Sequence, residues 1–373
     1  MQRFLAAACF VLIVVSVGST QSVRSGRNGF DSNSTAIGGV FLSGTVVIDG
    51  GDLLTDAAEI QTVCRGQRRT VTRTDSHGSF SFQFGGGREP ASDAGYGADT
   101  PALEHHDGML DHLTPQDCEL QAELAGFSSD IVQLGGRVSG DANINIGRIV
   151  LHRLANVEGF TISATTAQAP AAAKKAFEKS REQQSKSKWD EAQKLLEKAV
   201  ALDPKFAVAW YELGRVQLQK NDPAAARHAF QQSVAADPKY INPYRGLIQL
   251  AQRERNWREL SEASEKLLAL NPVSFPEAWF SNAISQYGQG NLVAAEKSAR
   301  RGLQIDSEHR VPKLEYLLGL VLIEKPAYDE AVQHIQAFLK HATQTSDVAE
   351  AQRKLDEIAR LSTAANLALA EKK

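Results

Sequence analysis

Leu202-Asp203-Pro204, Ala236-Asp237-Pro238 and Leu270-Asn271-Pro272 recur at intervals of 34 residues, and Ile305-Asp306-Ser307 follows as a weaker copy one residue late. Self-similarity at that period marks a helix-turn-helix repeat and decides the fold of the C-terminal half. One such helix pair has an apolar face it cannot bury alone, so successive pairs must stack, each covering the next. The proline closes the second helix of a pair, because it cannot continue the ladder and biases its predecessor away from helical geometry.

Working outward, the unit that begins near Ala207 places Trp210, Leu213, Gly214, Ala226, Phe230 and Pro238 at the offsets of a known pattern, and the stretch resembles a tetratricopeptide repeat array. Gly214 and Ala226 are small where the helices of one unit meet; Trp210 and Phe230 are large and are expected to fill the space between units. Further units begin near Ala173, Ile241, Pro276 and Pro312. They keep small residues such as Ser180, Ala192, Ala283, Ala295, Gly319 and Ala331 at matching positions, while Leu260 stands where Ala is usual. The expectation is five repeats over 172–346, then a capping helix from Asp347 to Leu367 with its tail, 347–373 together.

The resemblance implies a concave groove lined by the first helix of each unit. Read onto this chain, the groove offsets give Phe177, Arg181, Tyr211, Arg215, Asn242, Arg245, Gln249, Gln252, Phe280, Ile284, Tyr287, Tyr316 and Leu320. Rings beside Arg and Gln suit an extended peptide, since Arg pairs with carboxylates or stacks on rings and amides read backbone groups. The Lys and Asn set of the chaperone-tail carboxylate clamp is not reproduced. Packing between helices is the alternative role for each ring.

The N-terminal part reads differently. Residues 1–22 form an expected export signal, with Arg3 ahead of an apolar run from Phe4 to Val17 that is short for a membrane span; a membrane anchor is the alternative. A Ser-, Gly- and Asn-rich leader, 23–38, follows. Segments with alternating or β-branched residues then appear at Val40–Ile48, Ala58–Arg65, Arg68–Thr74, Ser79–Phe84, Cys118–Leu124, Ser129–Leu134 and Ile146–Arg153. They predict a small antiparallel β-sandwich, so the fold class is all-β followed by an α-helical solenoid. A small, polar stretch, 155–171, serves as an extended linker.

Gly44-Thr45-Val46, the turn Thr74-Asp75-Ser76-His77-Gly78-Ser79-Phe80, and Ala125-Gly126-Phe127 resemble the carboxypeptidase regulatory-like domain, a transthyretin-like sandwich, over residues 39–154. In that turn the Asp75 carboxylate reaches backbone amides just ahead of it, and Gly78 takes a conformation other residues avoid. In the resembled sandwich the strands carrying Cys64 and Cys118 lie near one another, and an even cysteine count in an exported chain favours a disulfide. The insert 85–117 holds His105, His106 and His112 beside Asp107 and Asp111. It reads as a solvated polar loop, with a metal site as the alternative, since its spacing matches no helical zinc motif.

A formal charge of −3 and a pI near 6.3 give no bulk reason to bind nucleic acid or an anionic membrane. Phosphate-loop, nucleophile-elbow, zinc-protease and calcium-loop motifs are all missing. The expected function is therefore an exported, non-enzymatic interaction or scaffold protein that needs no cofactor and holds a protein or peptide in the concave groove. The alternative is a carbohydrate- or metal-binding envelope protein whose specificity lies in the sandwich.

Overall fold

The computed structural model describes residues 40–50, 54, 56–75, 77–84, 117–136 and 143–370. The expected export signal, the leader and the histidines of the insert lie outside these residues.

Two four-stranded sheets face one another. One has the order β4(Ser79–Phe84), β1(Val40–Ile48), β8(Asn143–Arg153), β6(Phe127–Ser129); the other runs β3(Gln67–Arg73), β2(Glu59–Cys64), β5(Cys118–Glu123), β7(Val132–Gln133). Five of the six pairings are antiparallel, as expected; β1 and β8 run parallel, because β8 returns to the sheet centre beside the first strand. Alternation sends Leu42, Val46 and Ile48 of β1 inward to meet Ile60, Leu120, Ile149 and Leu151. Cys64 and Cys118 are cross-strand partners of β2 and β5 and form a disulfide. The β3–β4 turn is closed by Asp75, whose Oδ1 accepts the amides of His77 at 2.8 Å and Ser79 at 2.9 Å, with Gly78 at φ +79°.

After the short α1(Thr165–Gln168), ten helices pair as hairpins: α2(Ala171–Ser185) with α3(Trp189–Leu202), α4(Ala207–Gln219) with α5(Pro223–Ala236), α6(Asn242–Arg253) with α7(Trp257–Leu270), α8(Pro276–Gly288) with α9(Leu292–Ile305), and α10(Lys313–Glu324) with α11(Tyr328–Leu339). Then comes α12(Thr345–Ala370). The first helix of each hairpin is called A below and the second B.

The acid or amide of the repeated triplet does more than the proline. Asp203, Asp237 and Asn271 turn the chain out of a B helix into extended geometry, and their side chains then accept the amides of Lys205 at 3.0 Å, Lys239 at 3.1 Å and Ser274 at 3.0 Å. The proline contributes its carbonyl. Trp210 Nε1, Tyr244 Oη and Trp279 Nε1, at equivalent places in three A helices, donate to the carbonyls of Pro204, Pro238 and Pro272 at 2.9, 3.1 and 3.0 Å. Trp210 is half-buried: it packs against the core shared by the first two hairpins and also pins the turn. Phe230 does fill the gap between units: it is 1% exposed and lies between Gly214 and Gly246, where an added Cβ would stand 2.5 and 2.6 Å from its ring.

The sandwich and the stretch that follows it are docked on the turns between hairpins. The amides of Glu158 and Gly159 donate to Leu270 O at 2.9 and 3.1 Å, Phe160 N donates to Lys239 O at 3.1 Å, and Ile241 N returns a bond to Phe160 O at 3.0 Å. Gly159 has to be glycine here, since a Cβ would meet that of Leu270 at 2.6 Å. Gly126 N reaches Ser274 Oγ at 3.1 Å, and Arg310 pairs with Glu123 at 3.5 Å. The stretch beyond the last strand is therefore held, and it and the sandwich together contact three successive turns of the array.

Candidate functional site

The A helices place the expected groove residues in three groups. At the start of the array, Phe177 is 7% exposed with its ring 5.2 Å from that of Phe206, so it belongs to the interior; Arg181 on the same helix is half-buried. Phe206 precedes α4 and covers the ring that the repeat pattern assigns to the groove.

The second group lies on α4 and α6. Tyr211 packs against Phe230 and edge-on against Tyr240, with centroids 5.9 and 5.6 Å away. Burial pushes its phenol up to about 12, so it stays a neutral donor. Arg215 makes two bonds to Glu212, 3.0 and 3.3 Å, and Glu212 holds its guanidinium firmly charged. Arg245 lies 5.5 Å over the Phe275 ring and 3.9 Å from Glu277, while Gln249 and Gln252 are exposed. Asp56 of the sandwich faces this group and accepts a bond from Asn242 Nδ2 at 2.6 Å. Nothing in the sequence singled out Asp56, one of three aspartates between β1 and β2.

The third group is a cleft of about 180 Å³ between α8, α10 and α12. Phe280 and Ile284 of α8 and Tyr316, Leu317 and Leu320 of α10 line it, with Phe338 behind Tyr316 at a centroid distance of 5.1 Å. Its lip is charged: Lys313 pairs with Asp347 at 3.5 Å, and Tyr316 Oη donates to Glu350 at 2.8 Å. Burial and Glu350 raise the Tyr316 phenol, so the hydroxyl remains a donor. Tyr287, one turn beyond Ile284, is half-buried and its phenol too is raised by burial. Four of the thirteen groove positions thus meet around one apolar floor.

No group of three or more metal-ligating side chains exists among the described residues, and none of their helices is long and apolar enough to cross a membrane.

Residues 184–251, from the end of α2 through most of α6, match the model of the tetratricopeptide repeat. The helical region is tetratricopeptide-like, a class of protein that generally mediates protein–protein interactions and typically serves as a non-enzymatic scaffold. Solved structures similar to part of the chain are found at low identity. One is MamA, 19% identical, with 43% of this chain covering 92% of that chain at a TM-score of 0.40. YrrB, a TPR protein with an unusual peptide-binding site, is 17% identical, with 50% of this chain covering 99% of that one at 0.43. PilF of Pseudomonas aeruginosa is 16% identical, with 54% covering 90% at 0.41. No curated protein matches the chain.

Proposed function

We propose that this is an exported, non-enzymatic interaction protein which holds a protein or peptide segment on the A-helix face, anchored by an apolar side chain in the cleft of Phe280, Ile284, Tyr316 and Leu320. The observation that carries the reading is that cleft. It gathers rings and aliphatic side chains from two successive A helices and keeps Lys313, Asp347 and Glu350 at its lip for polar pairing. An interface centre of this make-up, apolar with a polar rim, is what concentrates binding energy.

The sandwich is read as a carboxypeptidase regulatory-like module, on the strength of the Asp75 turn, and its role here is to splint the array. Stacked repeats touch only their neighbours and flex along their length. The sandwich and the stretch after it, bonded to the turns at Lys239, Leu270 and Arg310, fix the curvature of the face before a partner arrives, which lowers the ordering cost of binding. Export is supported by the N-terminal apolar run and by the Cys64–Cys118 bond, which fits an oxidising compartment.

Capture of the native partner by the full chain, compared with the Ile284→Glu, Leu320→Glu double variant, tests the reading. Capture should fall at least about tenfold with helicity unchanged, because two carboxylates would be desolvated on binding. Undiminished capture would move the partner to another surface.

A further inference from the structure

We propose that Asp56 is a proton-operated latch through which the sandwich closes the α4–α6 part of the A-helix face: protonated, it is held on Asn242; ionised, it lets go. The latch itself stands without the partner reading above; only its consequence, access to Tyr211, Arg215 and Arg245, rests on it.

The chemistry of the contact carries the argument. Among the described residues, the one hydrogen bond to Asp56 comes from a neutral carboxamide, Asn242 Nδ2, at 2.6 Å. The cations that face it are already committed: Arg215 to Glu212 at 3.0 Å, and Arg245 to the Phe275 ring and, more loosely, to Glu277. Glu212 adds a like charge, and Tyr211 and Tyr240, the remaining titratable groups, are held neutral by burial. An ionised Asp56 therefore enters a half-buried contact with no cation of its own.

Asn242 supplies the second observation. It is 2% exposed, and its Oδ1 is buried with no hydrogen-bond partner among the described residues. A buried acceptor without a donor is costly. A carboxylic acid and a carboxamide pair through two bonds at once, amide N–H to carboxyl oxygen and carboxyl O–H to amide oxygen. A proton on Asp56 completes that pair and satisfies Oδ1.

The electrostatics agree in direction. Burial, the largest cause, raises the Asp56 carboxyl above the ordinary aspartate value, Glu212 raises it further, and the Asn242 bond and the two arginines only partly offset this. A value raised in the docked state means that docking is at full strength below the free aspartate value and weakens as pH climbs through the docked one. The latch is tight in acid and loose toward neutral pH.

Hydrogen exchange on the full chain, read in peptides covering residues 238–248, tests this without any partner. Corrected for intrinsic chemistry, exchange in the wild type should be at least about fivefold slower near pH 4.5 than near pH 8. Asp56→Asn, which mimics the protonated acid and keeps both bonds, should exchange slowly at both values. Asn242→Ala, which removes donor and acceptor together, should exchange fast at both. Equal protection of the wild type at the two pH values, or wild-type pH dependence surviving in Asp56→Asn, would overturn the proposal.

Discussion

Asp306 Oδ2 accepts a hydrogen bond from the amide of Val311 at 2.8 Å, while its Oδ1 takes the amide of Arg310 at 2.9 Å, at the one turn where the repeated triplet has lost its proline. Asp306, 2% exposed, caps that turn without a proline beside it. Asp306→Ala should destabilise the protein by about 1–2 kcal/mol, the usual loss of a capping side chain, in urea unfolding followed by circular dichroism. Pro204→Ala, which keeps the carbonyl that Trp210 uses, should cost clearly less.

The Phe230 ring sits against Gly246, whose position in the repeat alignment gives no hint of it. Gly246→Ala should lose about 1–3 kcal/mol to overpacking even though Ala gains roughly 1 kcal/mol of helix propensity. Phe230→Ala should lose about 3–5 kcal/mol to the cavity. A stabilised Gly246→Ala in the same unfolding assay would show that the ring has room to move.

The Cys64–Cys118 bond closes a separation of 54 residues, for which chain entropy gives a gain of about 4 kcal/mol. Protein recovered from its host under alkylating conditions should carry no label at either cysteine until reduced. Two labelled thiols would count against both the bond and the export reading.

On the sandwich surface His152 bridges two acids, Asp130 at 3.1 Å and Asp49 at 3.3 Å, and the bonds to Asp130 and then Asp49 raise its imidazole above the ordinary 6.5. The stabilisation is present in full below 6.5 and is lost as pH rises through the raised folded value. A histidine titration by NMR should find the midpoint raised in the wild type and lowered by Asp130→Asn.

Much of this architecture is written locally. Alternation in Val40–Ile48 and Ser79–Phe84 yields strands with those bounds, and the triplet period yields five helical hairpins, because both signals depend on neighbours a few residues apart. What escapes is long-range. The Gly126–Ser274 bond joins residues 148 apart, and Asp56 meets Asn242 across 186; neither residue carries a local mark of its partner. The groove offsets name the residues of the α8–α10 cleft but also Phe177, since an offset says which face a residue occupies and not whether the next helix supplies a ring to cover it.

The central claim is that the A-helix cleft is where a partner sits, and the most direct measurement is site-specific photo-crosslinking of the full chain in its host. A benzophenone side chain placed at Phe280, in the cleft, should give a discrete crosslinked species that Ile284→Glu abolishes, whereas the same group at Val293, 76% exposed on α9, should give none. Crosslinks from Val293 with none from Phe280 would contradict the account and place the partner on the outer helices.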